Sequence, residues 1–231
     1  MLQLINKKRV YFYLLIFLLL SSVFNLNFIL KFKKINSLSH INIVGLSEKE
    51  KNILEKNLEI FINKNIFLIT REEIQNRLKN NNFLDSYNII KILPSKLLVK
   101  VKKTEFVGKT ILNGEKFYIG KNGKLTKTFL VKREYNLPQV FGSFEVNEFL
   151  KLQKTLNTNG FNLSKIKKYY YYKSNRWDIE NNDDVVLMLP SYNIEKSLKN
   201  YKSLLKTNKI IPGQLIDLRM KNKIILSNAK R

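Results

Sequence analysis

The chain has 231 residues, 44% of them hydrophobic and 26% charged, which suits one or two domains with real cores and excludes disorder over most of the length. It has no cysteine and a single histidine, His40, which excludes disulfide frameworks, thiolate or His-pair metal sites and the usual Ser-His-Asp arrangement. The formal net charge is +24, from 42 Lys+Arg against 18 Asp+Glu, but no basic arm and no base-reading motif turns that charge into a nucleic-acid signature.

The N-terminus sets the first expectation. Val10–Leu30 is an uncharged run of 21 residues, close to the roughly 20 that cross a hydrocarbon core about 30 Å thick. Lys7, Lys8 and Arg9 resemble the basic start of a signal peptide, but Asn25, Asn27, Phe28 and Lys31 follow without a small-residue cleavage pattern. An uncleaved transmembrane helix is predicted over residues 10–30. Lys31, Lys33 and Lys34 balance the basic cluster before the span, so flanking charge does not fix direction. A short flank ahead of a long downstream region predicts a cytoplasmic tail, residues 1–9, with the rest of the chain translocated. DNA is then out of reach.

After a linker, Lys31–Ser39, the residues Ile41, Ile43 and Val44 read as a strand closed by Gly45. Ser47 with Glu50, and Thr70 with Glu73, have capping-box spacing. Leu54, Leu58, Phe61 and Ile62 share one face of the first helix; Ile74 and Leu78 line the second. Two β-rich runs then meet at Pro94-Ser95-Lys96, where proline marks a turn or edge. In the second run Leu97, Val99 and Val101 alternate with Leu98, Lys100 and Lys102. The order is β-α-α-β-β, a small independent domain over residues 36–104.

The remainder, residues 107–227, reads as mostly antiparallel β structure with flanking helices, followed by a tail, residues 228–231. Asn113-Gly114 sits between two β-rich runs, a hairpin signal. Asn147 is expected to cap a helix carrying Phe149, Leu152 and Leu156 and ending at Gly160. Ile194, Leu198, Tyr201 and Leu205 mark a last helix. Tyr169–Tyr172 split two to each face of a strand, which suits core packing and cross-strand pairing better than an aromatic platform. Trp177 is expected against that strand. Asp183-Asp184 lacks the ligand spacing of a calcium loop, and no nucleophile has a base partner, so no active site and no cofactor are predicted.

The chain closes on two apolar runs, Leu215–Met220 and Ile224–Leu226. Strand alternation puts Asp217 and Arg219 on one face as a solvated pair, opposite Ile216, Leu218 and Met220. A last strand at Lys223–Leu226 leaves a sheet edge open, flanked by Lys221, Lys223 and Lys230.

The strand "INIVG", the inter-helix "NIFLIT", the entry "LPSKLLVKV" and the closing "IDLR" stretch, in this order, resemble the FtsQ/DivIB family of bacterial cell-division proteins across nearly all of the chain. The sequence departs from the family pattern at Lys103, Phe106 and Gly120, and at Met220, where an aromatic is common. The resemblance implies an α+β architecture of one transmembrane helix, a POTRA domain and a second, mostly β domain. It implies a non-enzymatic scaffold of the division septum in the inner membrane, linking early and late division proteins. FtsB-like and FtsL-like partners, with septal wall synthases beyond them, would meet Arg219, Met220, Lys223, Ile224, Ile225 and Leu226. Two other classes compete. A membrane-tethered basic domain for nucleic acid would need no export. A POTRA protein of outer-membrane assembly or secretion would need the long strand series of a barrel, which this chain lacks.

Overall fold

The computed structural model describes residues 7–23, 36–207, 210–221 and 223–228. Helix α1 (Lys7–Val23) covers 17 residues, and its apolar side chains from Val10 to Leu20 are exposed. Among the described residues no helix is long and apolar enough to cross a membrane. The expected span Val10–Leu30 runs on through residues 24–30, which lie outside the described residues, as do residues 1–6 and 31–35.

The chain divides into two compact units. The first comprises Met1–Leu46, Lys51–Asn80 and Tyr87–Val101; the second comprises Ser47–Glu50, Asn81–Ser86 and Lys102–Arg231. The β-α-α-β-β order is present: β1 (His40–Val44), α2 (Glu48–Leu58), α3 (Arg71–Leu78), β2 (Leu84–Ile92) and β3 (Lys96–Lys103). Both helices start where their capping signals stand. Thr70 Oγ1 accepts from the Glu73 amide at 3.2 Å while the Thr70 amide donates to the Glu73 carboxylate at 2.7 Å. Glu50 likewise accepts from the Ser47 amide at 3.2 Å and from its hydroxyl at 2.7 Å. These pairings satisfy N–H groups that a helix start leaves orphaned. Strand β1 runs parallel to β3, with Ile43 opposite Val99, in a three-stranded sheet of order β1-β3-β2. Leu54, Leu58, Ile74, Leu78 and Val99 are fully buried. Gly45 ends β1 at φ +100°, where an added Cβ would lie 2.0 Å from the Val101 carbonyl oxygen. Only glycine fits there.

The second unit is built on one nine-stranded sheet. Its strands are β4 (Phe106–Leu112), β5 (Glu115–Gly120), β6 (Leu125–Lys127), β7 (Gln139–Phe141), β8 (Ile166–Tyr172), β9 (Arg176–Asn181), β10 (Val186–Met188), β11 (Gln214–Asp217) and β12 (Ile225–Asn228). Their spatial order is β12-β11-β10-β9-β8-β7-β4-β5-β6. Asn113 (φ 50°) and Gly114 (φ 78°) turn β4 into antiparallel β5, the positive-φ pair that a two-residue hairpin demands. The sheet is mixed: β4–β7, β7–β8 and β10–β11 pair parallel and the other neighbours antiparallel.

Helices α4 (Val146–Thr158) and α5 (Ile194–Thr207) contribute Phe149, Leu152, Leu156, Leu198 and Tyr201 to a core shared with Tyr169, Trp177, Ile179, Leu187 and Ile216. Phe149 meets the Tyr169 ring edge-on at 5.0 Å, and Tyr171 lies 4.8 Å from Trp177 across the β8–β9 ladder. The alternate tyrosines turn to the other face: Tyr170 stacks on Phe141 at 5.1 Å, and Arg176 lies over Tyr172 at 4.3 Å. Asn147 is not the cap of α4. The helix begins two residues earlier than that cap implies, at Val146 after Glu145, whose side chain makes no capping bond. Asn147 therefore sits in the first turn.

Three substitutions test the packing of the two units. Leu54→Ala or Leu58→Ala removes a fully buried side chain and is expected to cost about 2–5 kcal/mol. Denaturant unfolding of the full chain followed by circular dichroism measures it, and an unchanged midpoint contradicts the assigned helix face. Tyr169→Phe is expected to change stability by less than about 1 kcal/mol, read from Trp177 fluorescence. Burial pushes the Tyr169 pKa up to about 12, and among the described residues its buried hydroxyl has no hydrogen-bond partner. Gln153 opposes that shift from beside it but gives its amide to the Val107 carbonyl at 3.2 Å.

Candidate functional site

The C-terminal edge is built by a strand that stops early and another that starts late. Strand β11 was expected to run on through Met220 but ends at Asp217, because the Asp217 carboxylate accepts the Arg219 amide at 2.9 Å. A side chain bonding the backbone two residues on is a turn device that competes with the sheet ladder. The Arg219 guanidinium then grips both oxygens of the same carboxylate, with Nε at 2.7 Å from Oδ1. Asp217 is thus buried and paired bidentately, rather than solvated as expected. These hydrogen bonds hold its carboxyl below the usual range, and the same pairing raises the Arg219 pKa.

Leu218 stays buried and donates its amide to the Met188 carbonyl at 3.0 Å, whereas Met220 swings into solvent. The Lys223 amide closes on the Met220 carbonyl at 3.4 Å, and Ile224 tucks against the core. Strand β12 therefore begins at Ile225, two residues later than expected, and spans Ile225–Asn228. It pairs antiparallel with β11, Ile216 opposite Leu226 and Asp217 opposite Ile225. No other strand covers it among the described residues. Every second residue of such a strand turns its N–H and C=O outward. Ile225 and Leu226 are 46% and 40% exposed, on opposite faces of the strand.

The six residues expected at this site are brought together in two groups. Arg219, Met220, Lys223 and Ile224 line a cavity of about 180 Å³ with Tyr192 and Lys196, and Ile225 and Leu226 stand on the edge strand. The lining mixes apolar, basic and neutral polar side chains, Asn193, Ser197 and Asn200 among them, without a carboxylate. Lys230 lies outside the described residues.

Two contributors escaped the sequence reading. Tyr192, 68% exposed in the loop before α5, belongs to no periodic pattern. Asp178 is buried at 2% exposure on the same sheet face as Asp217, with Met188 between them in the ladder. Burial raises its pKa, against the pull of Arg176 3.2 Å away and of Arg219. The alternation Arg176-Trp177-Asp178-Ile179-Glu180 carried the signal: with Trp177 and Ile179 inward, the three charges share the other face. Among the described residues no cluster of metal-ligating side chains occurs.

Comparison with known proteins adds four findings. Residues 111–219 match the family described as cell division protein FtsQ/DivIB, C-terminal. A cell division protein FtsQ from Rickettsia bellii is 26% identical over 194 residues, 80% of this chain and 70% of that protein. FtsQ of Rickettsia felis is 25% identical over 183 residues, 76% of this chain and 68% of that protein. The extracytoplasmic domain of DivIB from Geobacillus stearothermophilus aligns with 47% of this chain and 99% of that one, at 15% identity and a TM-score of 0.33, too loose a likeness to carry a structural argument.

The Asp217–Arg219 pair has a pH signature. A carboxyl whose folded pKa lies below its unfolded value stabilises the fold above the unfolded value and loses that contribution as pH falls through the folded one. Asp217→Asn is expected to destabilise the second unit by about 1–3 kcal/mol at neutral pH. The gap from wild type is expected to narrow below about pH 3.9. Trp177 fluorescence during denaturation at several pH values measures it, and a pH-independent gap rules the pairing out as the cause.

Proposed function

We propose that this chain, which belongs to the FtsQ/DivIB family of bacterial cell-division proteins, is a non-enzymatic, membrane-anchored scaffold whose C-terminal edge docks an FtsB-like and FtsL-like pair. The observation that carries the reading is strand β12: four exposed residues at the end of a nine-stranded sheet with a ready row of backbone donors and acceptors. A partner segment adds alongside it as a further strand. Main-chain hydrogen bonds supply the attraction and alternate side chains the specificity. The adjoining cavity takes an apolar side chain of the partner between Tyr192, Met220 and Ile224.

Charge selects the partner. Lys196, Lys221 and Lys223 surround the edge, favour an acidic segment and speed its encounter more than they tighten the complex. Arg219 is already committed to Asp217, so its task at the edge is to hold the turn that positions Lys223 and Ile224. The anchor is Val10–Leu30, with residues 1–9 cytoplasmic, residues 36–104 a POTRA-type domain and residues 107–227 the docking domain on the far side of the inner membrane. Through the docked pair the scaffold joins early division proteins to the septal wall synthases.

The test is co-purification of the full chain with co-expressed FtsB-like and FtsL-like proteins. Leu226→Pro removes an outward-facing edge donor, since Ile225 faces Asp217 in the β11 ladder, and is expected to abolish capture while circular dichroism stays native. Lys223→Glu is expected to slow association and to weaken its salt dependence. If a chain cut after Lys221 folds and binds the pair with unchanged affinity, β12 is not the docking edge.

A further inference from the structure

Two loops of the first unit display large apolar side chains at the same end of that unit. In the run Ile66-Phe67-Leu68-Ile69, Ile66 and Ile69 are buried while Phe67 and Leu68 are 55% and 77% exposed. At the end of β2 and in the turn that follows it, Ile92 and Leu93 are 43% and 57% exposed. The two loops are 24 residues apart in sequence but converge on one segment. The Asn63 amide donates to the Leu38 carbonyl at 2.9 Å, the Leu38 amide to Lys64 at 2.8 Å and the Ile66 amide to Asn36 at 2.9 Å. The Ser39 amide donates to the Ser95 carbonyl, also at 2.9 Å. Lys91 Nζ donates to the Ile69 carbonyl and joins one loop to the other.

Residues 36–39 are where the chain enters this unit from the apolar N-terminal stretch. Asn36 is six residues after Leu30, a reach of at most about 20 Å. Exposed Lys64, Arg71 and Lys96 stand around the two loops, outnumbering the nearby carboxylates of Glu72 and Glu73, of which Glu73 is held on Thr70. Apolar tips rimmed by cations, tethered within that distance of a membrane span, have the chemistry of an interfacial contact. Large apolar groups clustered at one end are also not what a fully solvated surface selects.

We propose that this end of the first unit rests on the bilayer: Phe67, Leu68, Ile92 and Leu93 enter the boundary between headgroups and acyl chains, with Lys64, Arg71 and Lys96 at the phosphates. The inference rests on the reading of Val10–Leu30 as an anchor. The tether makes the contact intramolecular in effect, so weak lipid affinity suffices to hold it. The contact limits how the unit tilts about its short linker.

The absence of native cysteine makes single-label experiments direct. Full-length Leu68→Cys, Leu93→Cys, Lys100→Cys and Leu20→Cys variants carry a fluorophore in vesicles of phosphatidylcholine and phosphatidylglycerol. Lys100 is exposed and pairs with Val44 at the opposite end of β1. Labels at residues 68 and 93 are expected to lose emission to nitroxide on shallow acyl positions and to be shielded from aqueous iodide. The label at residue 100 is expected to behave in the reverse way, and that at residue 20 to be quenched only from lipid. Iodide quenching at 68 and 93 with residue 20 still in lipid overturns the contact and leaves the anchor standing. Iodide access at residue 20 overturns both. Shielding of 68 and 93 from both quenchers means that protein covers the loops, which also overturns the proposal.

Discussion

The second unit depends on how one sheet treats its two faces. Period-two alternation sends Tyr169, Trp177, Ile179, Leu187 and Ile216 under the helices and sends their neighbours the other way. On that other face Phe141, Tyr170, Asp178, Met188, Asp217 and Ile225 are successive cross-strand neighbours, a single row from β7 to the open edge. The buried carboxylates there are paired: Asp178 with Arg176, Glu180 with Lys168 at 2.8 Å, Asp217 with Arg219. An unpaired carboxylate at such positions would cost several kcal/mol or stay protonated, at roughly the magnitude of an uncompensated buried charge. A chain with 42 basic and 18 acidic residues supplies a cation for each of them. The charge left over is positive, and that sets the sign of the edge.

Much of this was legible in the sequence because it is local. The capping box at Thr70, the Asn113-Gly114 hairpin and the split of Tyr169–Tyr172 each depend on a few neighbouring residues, and each formed as written, while at Ser47 the Glu50 carboxylate makes its half of the box by accepting the Ser47 amide and hydroxyl. What could not be read was non-local or contested. Strand β7 is three residues long and lies between β4 and β8, parallel to both. No pattern within Gln139–Phe141 announces partners about 30 residues away on either side. At Asp217 two local programmes compete, strand alternation and an Asp–Arg turn. The turn wins because it satisfies the Arg219 amide and neutralises a buried carboxylate together. That outcome moved β12 two residues along the chain and released Met220 to the surface.

The sheet's two edges are finished differently, and the difference bears on which one is available. Strand β6 has three residues, runs straight into a helical turn at Thr128–Leu130, and its Leu125 carbonyl is occupied by Asn82 Nδ2 at 2.8 Å. A side chain capping an edge carbonyl and an abrupt turn both blunt pairing. Strand β12 has neither protection. Its defence against self-association is charge, since Lys221 and Lys223 leave the edge of each copy positive. Charge of one sign discriminates: it penalises a second copy and rewards an acidic strand, where a steric block would exclude both. An edge of this charge disfavours a second copy and stays open to a strand of complementary charge.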